Sequence, residues 1–197
     1  VGPAEVIEGC MHTLGCGDLA ALAAALAAFD QLRTMDPRPD VRILFTRAEE
    51  IGFVGAIAAC RHRTMPLNAR VIALENSRSF AESPIGGGPI VRVGDRLSVF
   101  SPSLTDAIGK RAEQIAGGTA PTASQKLSEA PSWKWQRKLM AGGACEASVY
   151  CAFGYEATCL CLPLGNYHNM ADLTAVQAGT NTTPPRVARE YISIADF

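Results

Sequence analysis

Four side chains in this sequence are of types that bind divalent metals and move protons. Glu49 and Glu50 are adjacent in FTRAEEIGFVGA, Glu75 lies in ALENS, and His168 lies in LPLGNYHNM. Carboxylates with an imidazole suit a zinc-type ion, and a carboxylate that is not a ligand can take a proton from metal-bound water. The adjacency of Glu49 and Glu50 then has a chemical reason: one binds the ion and its neighbour is the base. Each residue also has a plainer reading. Paired acids at a helix start favour the macrodipole without any chemistry. Glu75 reads equally as a solvated strand end, and His168 as a structural residue after a proline turn. His62, in CRHRT, reads as a surface residue, and His12 is open to either reading.

These residues can act together only if the chain folds them together. Residues 18–32 are rich in Ala and Leu without Gly or Pro, which predicts a helix ending before TMDPRPD. Residues 41–46 are rich in strand formers, and 51–60 suit a helix. A second strand is expected over 71–74, closing on Glu75, and a third over 157–162, stopped by Pro163. Between them a strand is expected over 89–93 and a helix entered at Ser101 with Pro102 in its first turn. PSWKWQRKLMAGG reads as a loop leading to a further helix after Gly143. Such alternation predicts an α/β fold, a three-layer arrangement of helix, mixed β-sheet and helix. In such sheets ligands collect outside the carboxyl ends of the strands. If the three strands run parallel, Glu49, Glu50, Glu75 and His168 share one crevice.

Bulk composition narrows the function. Eighteen basic against nineteen acidic residues give a formal net charge of -1, which leaves no electrostatic footprint for nucleic acid or an anionic membrane. The Ala-rich run over 19–29 is too short for a membrane span, and no basic segment followed by an apolar block announces a secretory signal. Seven cysteines are an odd number, and no C-x-x-C pair occurs. Cys151, Cys159 and Cys161 sit in apolar stretches, so reduced, buried filler in a cytoplasmic protein is expected.

Taken in order, FTRAEEIGFVGA, ALENS, GGGPIVRVGDR, GGACEA and LPLGNYHNM resemble the catalytic domain of the co-catalytic zinc aminopeptidases of the glutamyl-aminopeptidase and tetrahedral-aminopeptidase type. The resemblance runs over residues 16–170 and implies one partial catalytic domain over 1–197 that lacks most of the family's small lid. It implies Glu49 as general base, Glu50 and His168 as ligands of one metal, and Glu75 as ligand of the other. It further implies zinc, cobalt or manganese as cofactor and peptide amino ends as substrate, and it admits a homo-oligomer.

The sequence also departs from the family pattern. Gly17, in CGDLAAL, stands where the resemblance places a metal-bridging aspartate, and Ala21 where it places a glycine. Ala144 stands where a threonine is expected, and an upstream ligand histidine has no counterpart. Asp18, beside Gly17, is the candidate substitute for the bridging carboxylate. Two readings therefore stand: a metallo-aminopeptidase, or a catalytically inactive relative, a peptidase-fold binding or assembly module. A third uses SWKWQRK, with Trp133 and Trp135 as exposed binding anchors, against the alternative that they pack on the domain.

Overall fold

A computed structural model describes residues 3–120 and 133–197; the side chain of Asp18 lies outside the described residues. Its elements, in chain order, are β1 (Glu5–Ile7), β2 (Cys10–Thr13), α1 (Cys16–Leu32), α2 (Val54–Arg61), β3 (Arg70–Arg78), β4 (Ile90–Gly94), α3 (Pro102–Ala116), β5 (Gln136–Leu139), α4 (Glu146–Ala152), β6 (Glu156–Leu164), α5 (Leu173–Ala178) and β7 (Glu190–Ser193).

The main sheet has the order β3-β6-β4-β5. β3 runs parallel to β6 and β4 parallel to β5, while β4 and β6 are antiparallel, so the sheet is mixed as expected. Paired residues in adjacent strands point to the same face. Val71, Ala157, Cys159, Cys161 and Ile90 share one face, which α2 and α4 cover through Ala56, Cys60, Ala147, Val149 and Tyr150. The opposite face carries Leu160, Leu162 and Val91, covered by α1 through Cys16 and Ala20 and by α3 through Ala112 and Ala116. Helices thus cover both sides, giving the three-layer architecture. A smaller antiparallel sheet, β1-β2-β7, joins at the side. Its hairpin turns at Glu8 and Gly9, both at positive φ (47° and 76°), the primed turn that suits strand twist.

Local chemistry explains the elements that the sequence predicts. Ser101 caps α3, its Oγ accepting from the Leu104 N–H at 3.3 Å, and Pro102 opens the helix. Elsewhere the structure corrects the expectations. Residues 41–46 form no strand: β3 is the sheet edge, and no ladder joins it to this run. β3 does not close on Glu75 but continues to Arg78. Pro163 does not stop β6, because β4 pairs with β6 only as far as Cys161, so the missing proline donor falls where the ladder has lost that neighbour.

PSWKWQRK is not all loop, since β5 begins at Gln136. Trp135 is buried at 2% exposure against Val91, Ala112 and Ala116, and its indole N–H donates to the Gly118 carbonyl at 3.2 Å. Trp133 packs half-buried on the same cluster. The exposed-anchor reading is thereby corrected: burying indole surface in the core outweighs presenting it to a partner.

Candidate metal centre

Glu49 and Glu50 sit on the turn that leads into α2. The Glu49 carbonyl accepts from the N–H groups of Gly52 (3.1 Å) and Phe53 (2.9 Å), and the Arg47 carbonyl accepts from Gly55 (3.0 Å). Backbone closeness dictates the residue at 55: a Cβ there would stand 2.5 Å from the Arg47 carbonyl oxygen and 2.6 Å from its nitrogen. Thr46 fastens the same segment to α4 by donating to Glu146 Oε1 at 2.5 Å. α2 starts at Val54 with no acidic residue in its first turn, so the helix-dipole explanation of the paired glutamates does not hold.

His168 occupies a short 3-10 turn over Tyr167–Asn169, entered after β6. Asn166 Nδ2 donates to the Arg189 carbonyl (2.8 Å) and Asn169 Nδ2 to that of Ala188 (3.2 Å), which ties the turn to the segment preceding β7. The His168 ring stacks on Tyr167 at 4.0 Å between centroids. Its Nε2 stands 3.8 Å from Glu50 Oε2, with the side chains 55% and 64% exposed.

Glu75 lies deeper, on the sheet face with Cys161. Its Oε1 meets Arg92 Nη2 at 2.8 Å, and the arginine side chain is 2% exposed. Burial pushes the Glu75 carboxyl up to about 8; the Arg92 guanidinium pulls the other way without cancelling it, and Cys161 and Glu49 add to the rise. Tyr167 links the two parts. Burial first, then the charges of Glu75, Glu50 and Glu49, raise its phenol to about 12. Glu49, Glu50 and Glu75 thus act on one phenol whose neighbour in the chain is His168.

Zinc with bonds near 2 Å separates its ligand atoms by about 3.5 Å, so the 3.8 Å gap between Glu50 and His168 fits one ion. Two donors fall short of the three protein ligands usual at a catalytic zinc. At Gly17 the space for a side chain is taken. The Gly17 N–H donates to Glu190 Oε2 at 2.7 Å, and a Cβ there would lie 3.2 Å from that oxygen. Glu190, buried on β7, thereby satisfies a free N–H at the start of α1. Asp18, the candidate substitute for the bridging carboxylate, has its side chain outside the described residues. His62 is exposed, and His12 stacks on Tyr191 at 5.0 Å between β2 and β7, a structural role.

Sequence reasoning missed Tyr167, Arg92 and Glu190. Tyr167 had a signal, its adjacency to His168. Arg92 had only its position in an apolar strand, and Glu190 had none that local pattern could reveal.

Among curated proteins there is no match to the chain. Among solved structures, the Pyrococcus horikoshii TET1 peptidase is similar at 20% identity and TM-score 0.64, over 98% of this chain and 48% of that one. The TET aminopeptidase of a marine-sediment Thaumarchaeota archaeon gives 17% identity and TM-score 0.64, over 98% and 48%. The M18-family aminopeptidase of Thermotoga maritima gives 16% and 0.61, over 100% and 46%. The chain spans about half the length of these structures. Their likeness establishes the α/β peptidase fold. Residues 15–116 match the sequence profile of the M42 glutamyl aminopeptidases, an interval that includes Glu49, Glu50 and Glu75; the chain belongs to the M42 glutamyl aminopeptidase family.

Proposed function

We propose that this chain carries the catalytic machinery of a metal-dependent aminopeptidase that removes amino-terminal residues from peptides. The observation that supports this best is the 3.8 Å approach of Glu50 and His168, from separate segments, beside a Tyr167 phenol that feels Glu49, Glu50 and Glu75 together. In this reading Glu50 and His168 hold a divalent ion, zinc by donor type with cobalt or manganese as substitutes, and Glu75 serves a second position. When bound, the ion polarises the scissile carbonyl and lowers the pKa of the attacking water. Glu49, half-buried on the adjacent turn, takes the proton of that water and returns it to the leaving amine. The gathered carboxylates attract the cationic amino end of a peptide and orient it. The exposure of Glu50 and His168 leaves a peptide an open approach. Among the described residues no helix is long and apolar enough to cross a membrane. A cytoplasmic location and a homo-oligomer belong to the same proposal; the Pyrococcus horikoshii TET1 peptidase is itself described as assembling into a tetrahedron or octahedral shell.

A second reading is favoured by two contacts. Glu190 fills the space beside Gly17, and Arg92 engages one oxygen of Glu75. An inactive peptidase-fold module would retain both and gain nothing from metal. Aminoacyl chromogenic substrates, assayed with added zinc or cobalt, separate the readings. The enzyme reading expects turnover that depends on metal and that Glu49→Gln removes; absence of turnover at every metal concentration overturns it in favour of the module.

A further inference from the structure

The sheet face behind Glu75 holds two thiols that the proposed peptidase chemistry does not use. Cys145 Sγ, Cys159 Sγ and a Glu75 carboxylate oxygen all lie within 4.8 Å of one another. Cys159 is fully buried and Cys145 is 1% exposed. Ile90, Phe100 and Ala147 pack around the two thiols. We infer that Glu75, Cys145 and Cys159 form a closed site for one thiophilic divalent cation, zinc or cadmium, separate from the open Glu50 and His168 corner.

The geometry needs little adjustment. A tetrahedral zinc sets its ligand atoms about 3.5 Å apart, so the three donors must close by about an ångström, within the reach of small side-chain rotations. The backbone that carries Cys145 is already fixed. Its N–H donates to Asp95 Oδ2 at 2.9 Å, and the same carboxylate accepts from the N–H groups of Leu97 (2.7 Å) and Ser98 (3.0 Å). Cys159 is held in the β6 ladder opposite Ala73 and Arg92.

Charge balance favours a divalent ion. Three anionic donors carry three negative charges, which the Arg92 guanidinium and one dication neutralise in full. Arg92 uses only Oε1 of Glu75 and reaches Cys161 Sγ through Nε at 3.0 Å, so the second Glu75 oxygen remains for the ion. On binding, two metal–sulfur bonds and one metal–oxygen bond form, the two S–H bonds and the Glu75 O–H bond break, and the protons pass to solvent, with no change of oxidation state. Thiolates select soft cations over calcium or magnesium, and the apolar residues around the two thiols shield that side of the site. Such a site ties α4 to the centre of the sheet and lends the domain stability.

The inference rests on Glu75 as a metal ligand and not on Glu49 as a base, and cobalt absorption separates the two. Reduced, metal-stripped protein titrated with cobalt is expected to develop a thiolate-to-cobalt charge-transfer band that saturates at one equivalent. The Cys145→Ser, Cys159→Ser double variant loses the band. His168→Ala, which disables only the open corner, keeps it, whether or not the protein turns over peptide. A wild-type spectrum without the band, or a band that survives the double substitution, overturns the inference. Should the double variant fail to fold, zinc X-ray absorption on the wild-type chain decides: sulfur neighbours at about 2.3 Å support the site, and a shell of only oxygen and nitrogen refutes it.

Discussion

The corner between Glu50 and His168 and the pocket around Glu75 and Arg92 meet at Tyr167, yet they differ in nearly every physical respect. At the corner both side chains are more than half exposed. In the pocket the arginine is almost fully enclosed and two thiols stand within 4.8 Å of the carboxylate. An open pair of donors suits exchange of substrate and water. A closed set, charge-paired in advance, suits permanence. In the proposed reading the two clusters divide labour, one serving turnover and the other holding the sheet that positions it.

The largest effect that sharpens this contrast is catalytic. Glu49→Gln is expected to lower kcat by about 100- to 10,000-fold, the usual range for losing a general base, with zinc content unchanged by metal analysis. Next, His168→Ala removes one of two donors at the corner. Its zinc affinity is expected to fall by more than the roughly 100-fold that loss of an outer-shell partner costs, measured by competition with a chelator.

In the pocket the reporter is stability. Glu75 holds its proton up to about 8, against 4.5 for an ordinary glutamate, so between those values the native state binds more protons than the unfolded chain. The stability of metal-free protein therefore falls as pH rises through that window and levels off above it. Denaturant midpoints measured across it should show the slope, and Glu75→Gln should flatten it. Arg92→Met, which keeps the packing but strips the positive charge from Glu75, is expected to cost about 3 to 5 kcal/mol once Glu75 is ionised, and less at lower pH where a proton takes over. Gly55→Ala, which forces a Cβ against the Arg47 backbone, is expected to cost about 1 to 3 kcal/mol and to lower activity by displacing the Glu49 turn. Equal losses of stability without a change in kcat would show that the turn tolerates the shift.

What could be read from the sequence followed the range of the forces involved. Ser101 and Pro102 announce the start of α3 because a cap is decided within four residues. The run over 41–46 has the composition of a strand and forms none, because a strand is completed by a partner and β3 leaves that edge unpaired. Trp135, among cations, admits both an exposed and a packed reading, and its enclosure by β5 and α3 bears out the packed one. The four metal-competent residues are legible as types in order, but the approach of Glu50 to His168 depends on the loop ahead of α2 and on the turn after β6. Cys159 reads as filler because a thiol in an apolar run carries no sign of its neighbours across the sheet, among them Cys145 and Glu75.

The central claim is that one divalent ion bridges Glu50 and His168 beside Glu49. Crystals soaked in zinc, with anomalous scattering recorded at the zinc edge, test it most directly. The account predicts a peak within bonding distance of both Glu50 Oε2 and His168 Nε2. Anomalous density confined to the thiol pocket or to the outer surface, with that corner empty at saturating zinc, would contradict it.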